Sequence, residues 1–311
     1  MIIDIYEALE RAKEATGNTG INTNVELPHG STFRFAQEIK LPGNVSFTST
    51  GKGIRSIRLI YEGPSGESVD NPAVLISRVQ GYGAFLNGME IVARPDRKYL
   101  RFVNFSNNIN CKISNLRIAH YGLDCIGLDL AGRESTIVEN IDVRCSVPLA
   151  LRWGDNFNLH NLDLGAATTS DALAQMNKDL ISTCILMTHK MDHLVLSGYQ
   201  TYQGGNYAIY GRINSSVFCS GMFFERIRYE QSLSRNDPNI PAIDIEFSNL
   251  HCESMTIGAG CRFTDRKNSI NIKKVWNLEV SNATRITGQR VWNNMKWDYN
   301  TKQWVLIDEQ I

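Results

Sequence analysis

Asp244 and Glu246 form an acidic pair whose spacing suits glycoside hydrolysis. They flank Ile245 in an alternating run, so both carboxylates share the outer face of one predicted strand, about 7 Å apart. This separation lies near the range of inverting glycosidases, in which one carboxyl protonates the leaving oxygen and the other activates water. Glu225, on a nearby repeat of the chain, is expected to join the same surface. The alternative interpretation is that these acids are exposed residues that keep the protein soluble.

Asp142 and Asp163 form a second acidic pair, because they occupy equivalent positions of a repeated phrase. On stacked parallel strands their carboxylates would be one strand spacing apart, about 4.8 Å, which suits a retaining glycosidase. Arg117 holds the same position one repeat earlier. The alternative is a ladder of charges in which Arg117 separates Glu90 from Asp142 and offsets their repulsion. The ladder is the favoured interpretation.

The segment from Ser197 to Arg212 has the composition of a carbohydrate-binding surface. It places four tyrosines among glutamine, asparagine and glycine in a long stretch between repeats. Aromatic faces can stack on sugar rings, and insertions between repeats commonly carry the binding face of a repeat protein. The candidate ligand-binding residues are Tyr199, Tyr202, Tyr207, Gln203, Asn206 and Arg212. The alternative is that some of the tyrosines, Tyr210 above all, belong to the core or to contacts between subunits.

A six-residue phrase, apolar-x-Asn-apolar-x-apolar, recurs along the chain and must position these residues. Its alternating apolar residues predict a half-buried strand, and its Asn predicts a sharp bend, since Asn tolerates left-handed backbone angles. Stacked copies would also form an asparagine ladder. The fourth position, called the anchor, falls at Met89, Leu116, Ile141, Leu162, Leu194, Ile227, Leu250 and Leu278. The fifth position predicts an outward column of Glu90, Arg117, Asp142, Asp163, Val195, Arg228, His251 and Glu279.

The uneven spacing of this constant phrase indicates one coil per repeat, with loops of variable length between strands. A second alternating apolar run usually follows each copy, for example from Ile126 to Leu130 and from Ile243 to Phe247. Each coil therefore supplies at least two strands to separate parallel sheets. The sequence predicts an all-β fold, a parallel β-helix or solenoid. An ordinary β-sandwich is the alternative, but it requires hairpins at shorter spacing.

Both ends of the chain depart from the repeat. Residues 2–16 predict an amphipathic helix that ends at Gly17 and covers the open edge of the first coil. Residues 291–311 predict two strands around a turn near Asp298, and they hold three of the five tryptophans. The predicted organisation is a capping helix in 1–20, a parallel β-helix in 21–288 and a strand cap in 289–311. This cap either covers the last coil or helps three chains to associate.

Composition excludes several functions. The 311 residues carry zero formal net charge with the charges interspersed, so we expect no nucleic-acid binding and no membrane insertion. The start lacks the apolar stretch of a signal peptide. The seven cysteines lie mostly in apolar strand patterns, which predicts small core residues made in a reducing cell. We expect no metal and no cofactor, because neither zinc-site spacing nor a phosphate-cradling loop occurs.

The opening of the chain resembles the pectate-lyase-like right-handed parallel β-helix proteins. The resemblance rests on a helix from Asp4 to Ala15, then Val25-Glu-Leu-Pro-His-Gly30, Ile39-Lys-Leu-Pro-Gly-Asn-Val45 and Gly51-Lys-Gly53. It covers residues 1–55 by motif and the rest by repeat pattern. Phage tailspikes and many polysaccharide lyases and hydrolases share this beginning. The tryptophan-rich end resembles the ends of phage tail proteins that cap the helix and help three chains associate.

The resemblance implies a phage tailspike or receptor-binding virion protein that binds bacterial surface polysaccharide. The expected state is a homotrimer in the virion tail beside other tail proteins, made in the host cytoplasm. Two alternatives stay open: a cellular polysaccharide lyase or hydrolase, and a non-catalytic structural fibre or decoration protein of the virion. Catalysis is undecided, because short connections between most repeats favour binding without cleavage. An enzyme of this kind would be a glycoside hydrolase or polysaccharide lyase acting on capsule, O-antigen or exopolysaccharide.

Overall fold

The computed structural model describes one helix and 24 strands. The described residues are 4–16, 23–51, 53–78, 81–83, 85–166, 183–187, 191–203, 207–212, 216–219, 222–225, 243–246, 249–252, 255–257, 262–263, 270–272, 285–286, 295–298 and 303–306. Beyond Tyr202 they are described as backbone strands. Within these ranges, no helix has the length and apolar character needed to cross a membrane.

The elements follow each other closely along the chain. In the first half they are α1 (Ile5–Thr16), β1 (Thr23–Leu27), β2 (Thr32–Phe35), β3 (Ile39–Lys40), β4 (Val45–Ser49), β5 (Ile57–Tyr61), β6 (Ala73–Arg78), β7 (Gly81–Tyr82), β8 (Phe85–Ala93), β9 (Leu100–Ala119), β10 (Ile126–Cys145) and β11 (Val147–Ala166). In the second half they are β12 (Thr183–Met187), β13 (Met191–Gln203), β14 (Tyr207–Arg212), β15 (Ser216–Cys219), β16 (Met222–Glu225), β17 (Ile243–Glu246), β18 (Asn249–Cys252), β19 (Met255–Ile257), β20 (Arg262–Phe263), β21 (Ile270–Ile272), β22 (Arg285–Ile286), β23 (Met295–Asp298) and β24 (Gln303–Leu306).

Strands from successive coils pair in parallel, and each coil contributes one segment to each of three stacked faces. Face 1 consists of β1, β4, 85–87, 111–114, 136–139, 156–160, 193–197, β15, β18 and β21. Face 2 consists of β2, β5, 89–93, 116–119, 141–145, 162–166, 200–203, β16 and β19. Face 3 consists of β3, β6, 100–105, 126–130, 147–151, β12, β14 and β17. The sequence predicted at least two strands per coil, and the structure has three.

Apolar side chains stack in register inside the coils. On face 1 the central register column is Val25, Phe47, Leu86, Ile113, Val138, Leu159, Leu196, Cys219, Cys252 and Ile272. Every member up to Leu196 is buried. Burying such an aliphatic side chain contributes about 1.5–3 kcal/mol, so the column supplies a continuous core along the stack. The structure is an all-β, parallel, solenoid-like fold, as the repeat predicted.

A single residue with left-handed angles turns the chain from face 1 to face 2. Asn115, Asn140 and Asn161 have φ values of 51°, 52° and 52°, and Gly88 holds this place one coil earlier with φ 78°. Asparagine accepts this conformation at a lower cost than most residues with a side chain. The amides also stack: Asn161 Nδ2 donates to Asn140 Oδ1 at 2.9 Å, and Asn115 Nδ2 donates to Asn87 Oδ1 at 2.8 Å. The predicted bends are confirmed in these coils, and one link of the predicted asparagine ladder is present, between Asn140 and Asn161.

The register corrects the predicted anchors of later coils. The first four do stack in one column: Met89, Leu116, Ile141 and Leu162. The next partner, however, is Gln200 rather than Leu194, because Leu194 pairs with Phe157 on face 1. Leu250 is also wrong as an anchor, since it pairs with Val217 on face 1. Ile227 and Leu278 lie outside the described residues.

The physical reason is a longer bend. In β13 two residues, Gly198 and Tyr199, turn the chain where the preceding coil uses Asn161 alone. The phrase therefore matched face 1 strands in later coils, and two members of the predicted outward column are misplaced. Val195 pairs with Asn158, and His251 lies on face 1 in β18. Arg228 and Glu279 of the predicted column lie outside the described residues.

The N-terminal helix α1 packs on the first coils through Ile5, Leu9 and Ala12, which are buried and contact the end of the stack near β1 and β4. The helix begins later than predicted because Asp4 precedes it as a cap. Its Oδ1 accepts a hydrogen bond from the Tyr6 amide at 2.9 Å, which satisfies a donor of the first turn. The described residues thus place a short helix beside the first coils.

The predicted strand pair at the C-terminus is also present, since β23 and β24 pair antiparallel with Trp297 opposite Trp304. Its role in association stays a prediction. The cysteines with described side chains lie in the core as thiols, as predicted: Cys111, Cys125, Cys145 and Cys184. Burial raises the pKa of Cys111 to about 12 and that of Cys125 to about 12.

Candidate functional site

A column of charged side chains runs along the outer surface of face 2. We call it the charged column; its members in register are Arg58, Glu90, Arg117, Asp142 and Asp163. Arg58 Nε lies 3.3 Å from Glu90 Oε2, and Arg117 Nε lies 3.6 Å from Glu90 Oε1 and 3.5 Å from Asp142 Oδ2. Arg117 Nε makes no hydrogen bond, so its two ion pairs act through charge alone.

Arg144 connects the two carboxylates of the predicted catalytic pair. Its Nε donates to Asp142 Oδ1 at 3.1 Å, and its Nη2 lies 2.5 Å from Asp163 Oδ2. Gly165 makes this reach possible, because a Cβ there would lie 2.5 Å from Arg144 Cδ. The aliphatic part of the Arg144 side chain thus passes directly over the backbone of Gly165. Burial lowers the pKa of Arg144, but the carboxylates of Asp163 and Asp142 raise it by more, so the pKa lies above its ordinary value.

This contact bears on the choice between the two interpretations of Asp142 and Asp163. The scissile bond of a glycosidase substrate lies between the two carboxyl groups. Here the Arg144 guanidinium contacts both of them. The arrangement therefore favours a charge ladder over a catalytic pair, and the sequence had identified Arg117 but missed Arg144 as the bridging group.

A second charged group lies on the outer surface of face 3, and sequence reasoning missed it. We call Arg101, Asp129 and Arg152 the arginine cluster. Arg152 donates to Asp129 through Nε at 2.6 Å and Nη2 at 3.0 Å, while Arg101 Nε lies 3.4 Å from Asp129 Oδ2. Arg101 Nη2 also donates to the carbonyl of Val69 at 3.0 Å, in the connection between β5 and β6.

The arginine cluster is largely buried. The side chains of Arg101 and Asp129 are 5% and 11% exposed, compared with 32% for Arg152. Burial lowers the pKa of Arg101, and the negative charge of Asp129 offsets part of this effect. The hydrogen bonds that Arg152 donates to Asp129 raise the pKa of Arg152 despite its burial. One carboxylate thus holds two guanidinium groups in a setting with little solvent.

Apolar residues surround this cluster. Ile126, Val147 and Ala150 form a small buried group separate from the main core, and Val69 and Leu186 pack against it. Because Ala150 is the register partner of Asp129, the group continues the same face along the stack. The charged and apolar side chains on this side of face 3 are therefore packed together, beneath Val69 of the connection between β5 and β6 and beside Leu186 of β12. The feature of the sequence that could have revealed this cluster is Asp129, whose position in the alternating apolar run from Ile126 to Leu130 places it on the outer side of the strand.

Several predicted site residues continue face 3. Asp244 pairs with Tyr210 and Glu246 pairs with Arg212, in β17 and β14. Tyr207, at the start of β14, pairs with Thr183. The prediction that Glu225 shares the surface of Asp244 and Glu246 is wrong, because Glu225 lies in β16 on face 2, where it pairs with Gln203.

The remaining predicted ligand-binding residues separate from one another. Tyr199 lies at the bend between face 1 and face 2 and is 63% exposed. Tyr202 is 0% exposed, and its hydroxyl donates to Gln200 Oε1 at 3.2 Å. Its ring lies in the core and is not available for stacking, because the two-residue bend at Gly198 and Tyr199 directs it inward. Asn206 lies outside the described residues.

Comparisons with known proteins return no match for this chain, neither to a family model, nor to a curated protein, nor to a solved structure. In the described part of the chain, no group of three or more His, Cys, Asp or Glu side chains could hold a metal ion.

Proposed function

We propose that the protein is a bacteriophage tailspike or receptor-binding protein that binds bacterial surface polysaccharide. In this proposal the fold is a right-handed parallel β-helix, and three copies associate in the virion tail beside other tail proteins. The protein is made in the host cytoplasm. The resemblance of the first residues and of the tryptophan-rich end supports this proposal, and the parallel, solenoid-like stack is compatible with it.

The observation that carries the proposal is the extent of face 3. One register column runs from Asp129 through Ala150, Leu186 and Tyr210 to Asp244. At one strand spacing per step, it spans about 19 Å. Parallel pairing keeps the backbone of this column in register from one coil to the next. An extended polymer of repeated units is the type of ligand that suits such a surface.

Binding without cleavage is the form of the proposal that the contacts on face 2 favour. Arg144 contacts both Asp142 and Asp163, which removes the simplest catalytic pair. Asp244 and Glu246 stay the catalytic candidates of face 3, where they are two residues apart on β17. If the protein cleaves its ligand, these two carboxylates are the acid and the base that we expect to act.

The test uses purified capsular polysaccharide and lipopolysaccharide from a panel of bacteria. Binding is measured by biolayer interferometry, and release of oligosaccharides is followed by size-exclusion chromatography. The variants Asp244→Asn and Glu246→Gln are expected to abolish any release and keep binding. Glu26→Gln, at an exposed position of β1, is the matched control and should change neither. Absence of binding to every glycan in the panel would contradict the proposal.

Association is tested separately by sedimentation velocity. The chain has a mass of 35.0 kDa, so a trimer sediments as a species of about three times that mass. Substitution of Trp297 and Trp304 by Ser should shift the population to the monomer if the C-terminal strands carry the contact. A native protein that sediments only as a monomer would contradict this part.

A further inference from the structure

A serine and a histidine lie side by side on the outer surface of face 1. Ser197 in β13 is the register partner of His160 in β11. Their preceding neighbours, Leu196 and Leu159, are buried in the core. Because successive side chains of a strand point to opposite sides, Ser197 and His160 point outward, and both are partly exposed. His160 Nδ1 lies 3.0 Å from Ser197 Oγ, which is a hydrogen-bond distance.

Gly198 allows the imidazole to reach this position. It follows Ser197 directly, and it has a left-handed φ of 68°. A Cβ at Gly198 would lie 2.6 Å from His160 Cε1 and 2.8 Å from His160 Nδ1. The imidazole therefore lies against the backbone of the bend, and a side chain at residue 198 would displace it. The bend that connects face 1 to face 2 thus sets the geometry of the pair.

Another serine of the same register column has a different partner. The column on face 1 contains Asn87, Ser114, Glu139, His160 and Ser197. Ser114 Oγ donates to Asn87 Oδ1 at 2.9 Å, and an amide oxygen does not serve as a base. Ser197 instead contacts an imidazole. In the tautomer that carries its proton on Nε2, His160 Nδ1 accepts the hydrogen bond of the Ser197 hydroxyl and can take up its proton.

The surface beside Ser197 carries an exposed aromatic ring. Tyr199, two residues further along the chain, is 63% exposed. Its backbone amide donates to Asn161 Oδ1 at 3.0 Å, which holds the bend in place. Aromatic faces of this kind can stack on sugar rings. A sugar bound at Tyr199 would therefore have its substituents close to the Ser197 hydroxyl.

We propose that Ser197 and His160 hydrolyse acyl esters carried by sugar hydroxyl groups. Ser197 Oγ attacks the carbonyl carbon of the ester, and His160 Nδ1 takes the hydroxyl proton. The bond between the carbonyl carbon and the sugar oxygen breaks, and the sugar oxygen receives that proton from His160. Water then attacks the acyl group on Ser197 and gives a proton to His160. The carboxylic acid leaves, and His160 returns the proton to Ser197 Oγ.

The pair suits esters better than amides. Glu139 is the register partner of His160 in the preceding coil, but its Oε1 lies 2.6 Å from Lys112 Nζ and forms an ion pair there. A serine and a histidine without a carboxylate on the imidazole are weaker catalysts than a complete triad. An ester requires less assistance than an amide, because an alcohol is a better leaving group than an amine. This activity goes beyond the proposed function, since it removes a substituent from a glycan and leaves the glycosidic bonds intact.

Hydrolysis of p-nitrophenyl acetate by the full chain tests the proposal. This probe contains no sugar, so the result does not depend on the proposed glycan binding. Ser197→Ala and His160→Gln should each lower the rate by about 100-fold, because the nucleophile or the base is removed. Ser114→Ala, from the same register column, is the matched control and should keep the native rate. The proposal is overturned if Ser197→Ala keeps more than about a tenth of the native rate.

Covalent labelling of the native protein decides the matter if a variant does not fold. An alkyl fluorophosphonate reacts with an activated serine: Oγ forms a bond to phosphorus, and fluoride leaves. The intact mass should increase by one phosphonyl group, and peptide mapping should place that group on Ser197. The protein unfolded in urea should not be labelled, because His160 no longer contacts the hydroxyl. A native protein without a label on Ser197 would reject this serine as a nucleophile.

Discussion

The charged column on face 2 and the arginine cluster on face 3 both consist of ion pairs between arginines and carboxylates, but they differ in their exposure to solvent. In the column, the end members Arg58 and Asp163 are 53% and 41% exposed, and Glu90, Arg117 and Asp142 between them are 16%, 25% and 26% exposed. In the cluster, Arg101 and Asp129 are nearly enclosed. An exposed ion pair contributes about 0–1 kcal/mol, whereas breaking a buried pair by removing one partner costs about 3–5 kcal/mol. Acidic residues that look alike in the sequence therefore have different roles in the two faces.

The largest expected effect is that of Asp129→Ala. It leaves two guanidinium groups without their shared carboxylate, and Arg101 lies in a buried position. We expect a loss of about 3–5 kcal/mol in the free energy of unfolding, measured by urea denaturation. Asp163→Ala, at the most exposed carboxylate of the charged column, is the matched variant and should cost less than about 1 kcal/mol. Equal losses for the two variants would remove the distinction between the faces.

The next effect concerns the bend that leads into the charged column. Asn140→Ala places a residue with a poor tolerance for φ 52° at this bend, which should cost about 1–2 kcal/mol. Asn140→Gly keeps the backbone conformation and should cost less, measured in the same urea titrations. If both variants lose the same stability, the amide contact with Asn161 rather than the backbone angle determines the effect.

A smaller effect is the pH dependence that His120 contributes to the stability of the protein. His120 is buried beside Phe102, with ring centroids 5.4 Å apart. Its Nε2 lies 2.9 Å from the carbonyl of Arg97, so Nε2 carries the proton of the neutral ring. Burial lowers the pKa of His120 below its ordinary value of 6.5, despite the opposing hydrogen bond.

The sign follows from proton linkage. Below pH 6.5, His120 binds a proton more readily in the unfolded chain than in the folded protein. The free energy of unfolding is therefore highest above this pH, and it decreases as the pH falls toward the pKa of His120 in the folded protein. We expect His120→Gln, which keeps a donor for Arg97, to show a weaker loss of stability between pH 7.5 and 5.5. Identical pH profiles of the two proteins would exclude His120 as the cause.

The smallest expected effect comes from Gly165→Ala. A methyl group there displaces the stem of Arg144 from its path to Asp163 and weakens exposed ion pairs. The stability should change by less than about 1 kcal/mol. Release of oligosaccharides from a bound glycan should be unchanged if the column is a charge ladder. A change in release by this variant would instead show that Asp142 and Asp163 act on the ligand.

The sequence predicted the fold best where bends are short. One asparagine separates face 1 from face 2 at Asn115, Asn140 and Asn161, so the apolar pattern keeps its phase through these coils. At Gly198 and Tyr199 the bend gains a residue. Pattern matching then shifts to the wrong face, which explains the misplaced Leu194.

The site was harder to predict than the fold. Asp142 and Asp163 were placed correctly as neighbours, because both follow an anchor that stacks. Arg144 was missed because its reach depends on the absence of a side chain at Gly165, which is a property of packing. Arg101 and Asp129 were missed because their contact joins different coils and lies outside the repeated phrase. Burial of such a pair cannot be read from one strand.

The bends at Asn140 and Asn161 have a consequence for how this molecule changes over evolutionary time. They occupy the same place in successive coils, so the residues from 141 to 161 make one complete period. A tandem duplication of that stretch in the gene would lengthen the rod by one layer, about 4.8 Å, and leave the layers above and below in phase. Length is thus a quantity that mutation can adjust in whole steps.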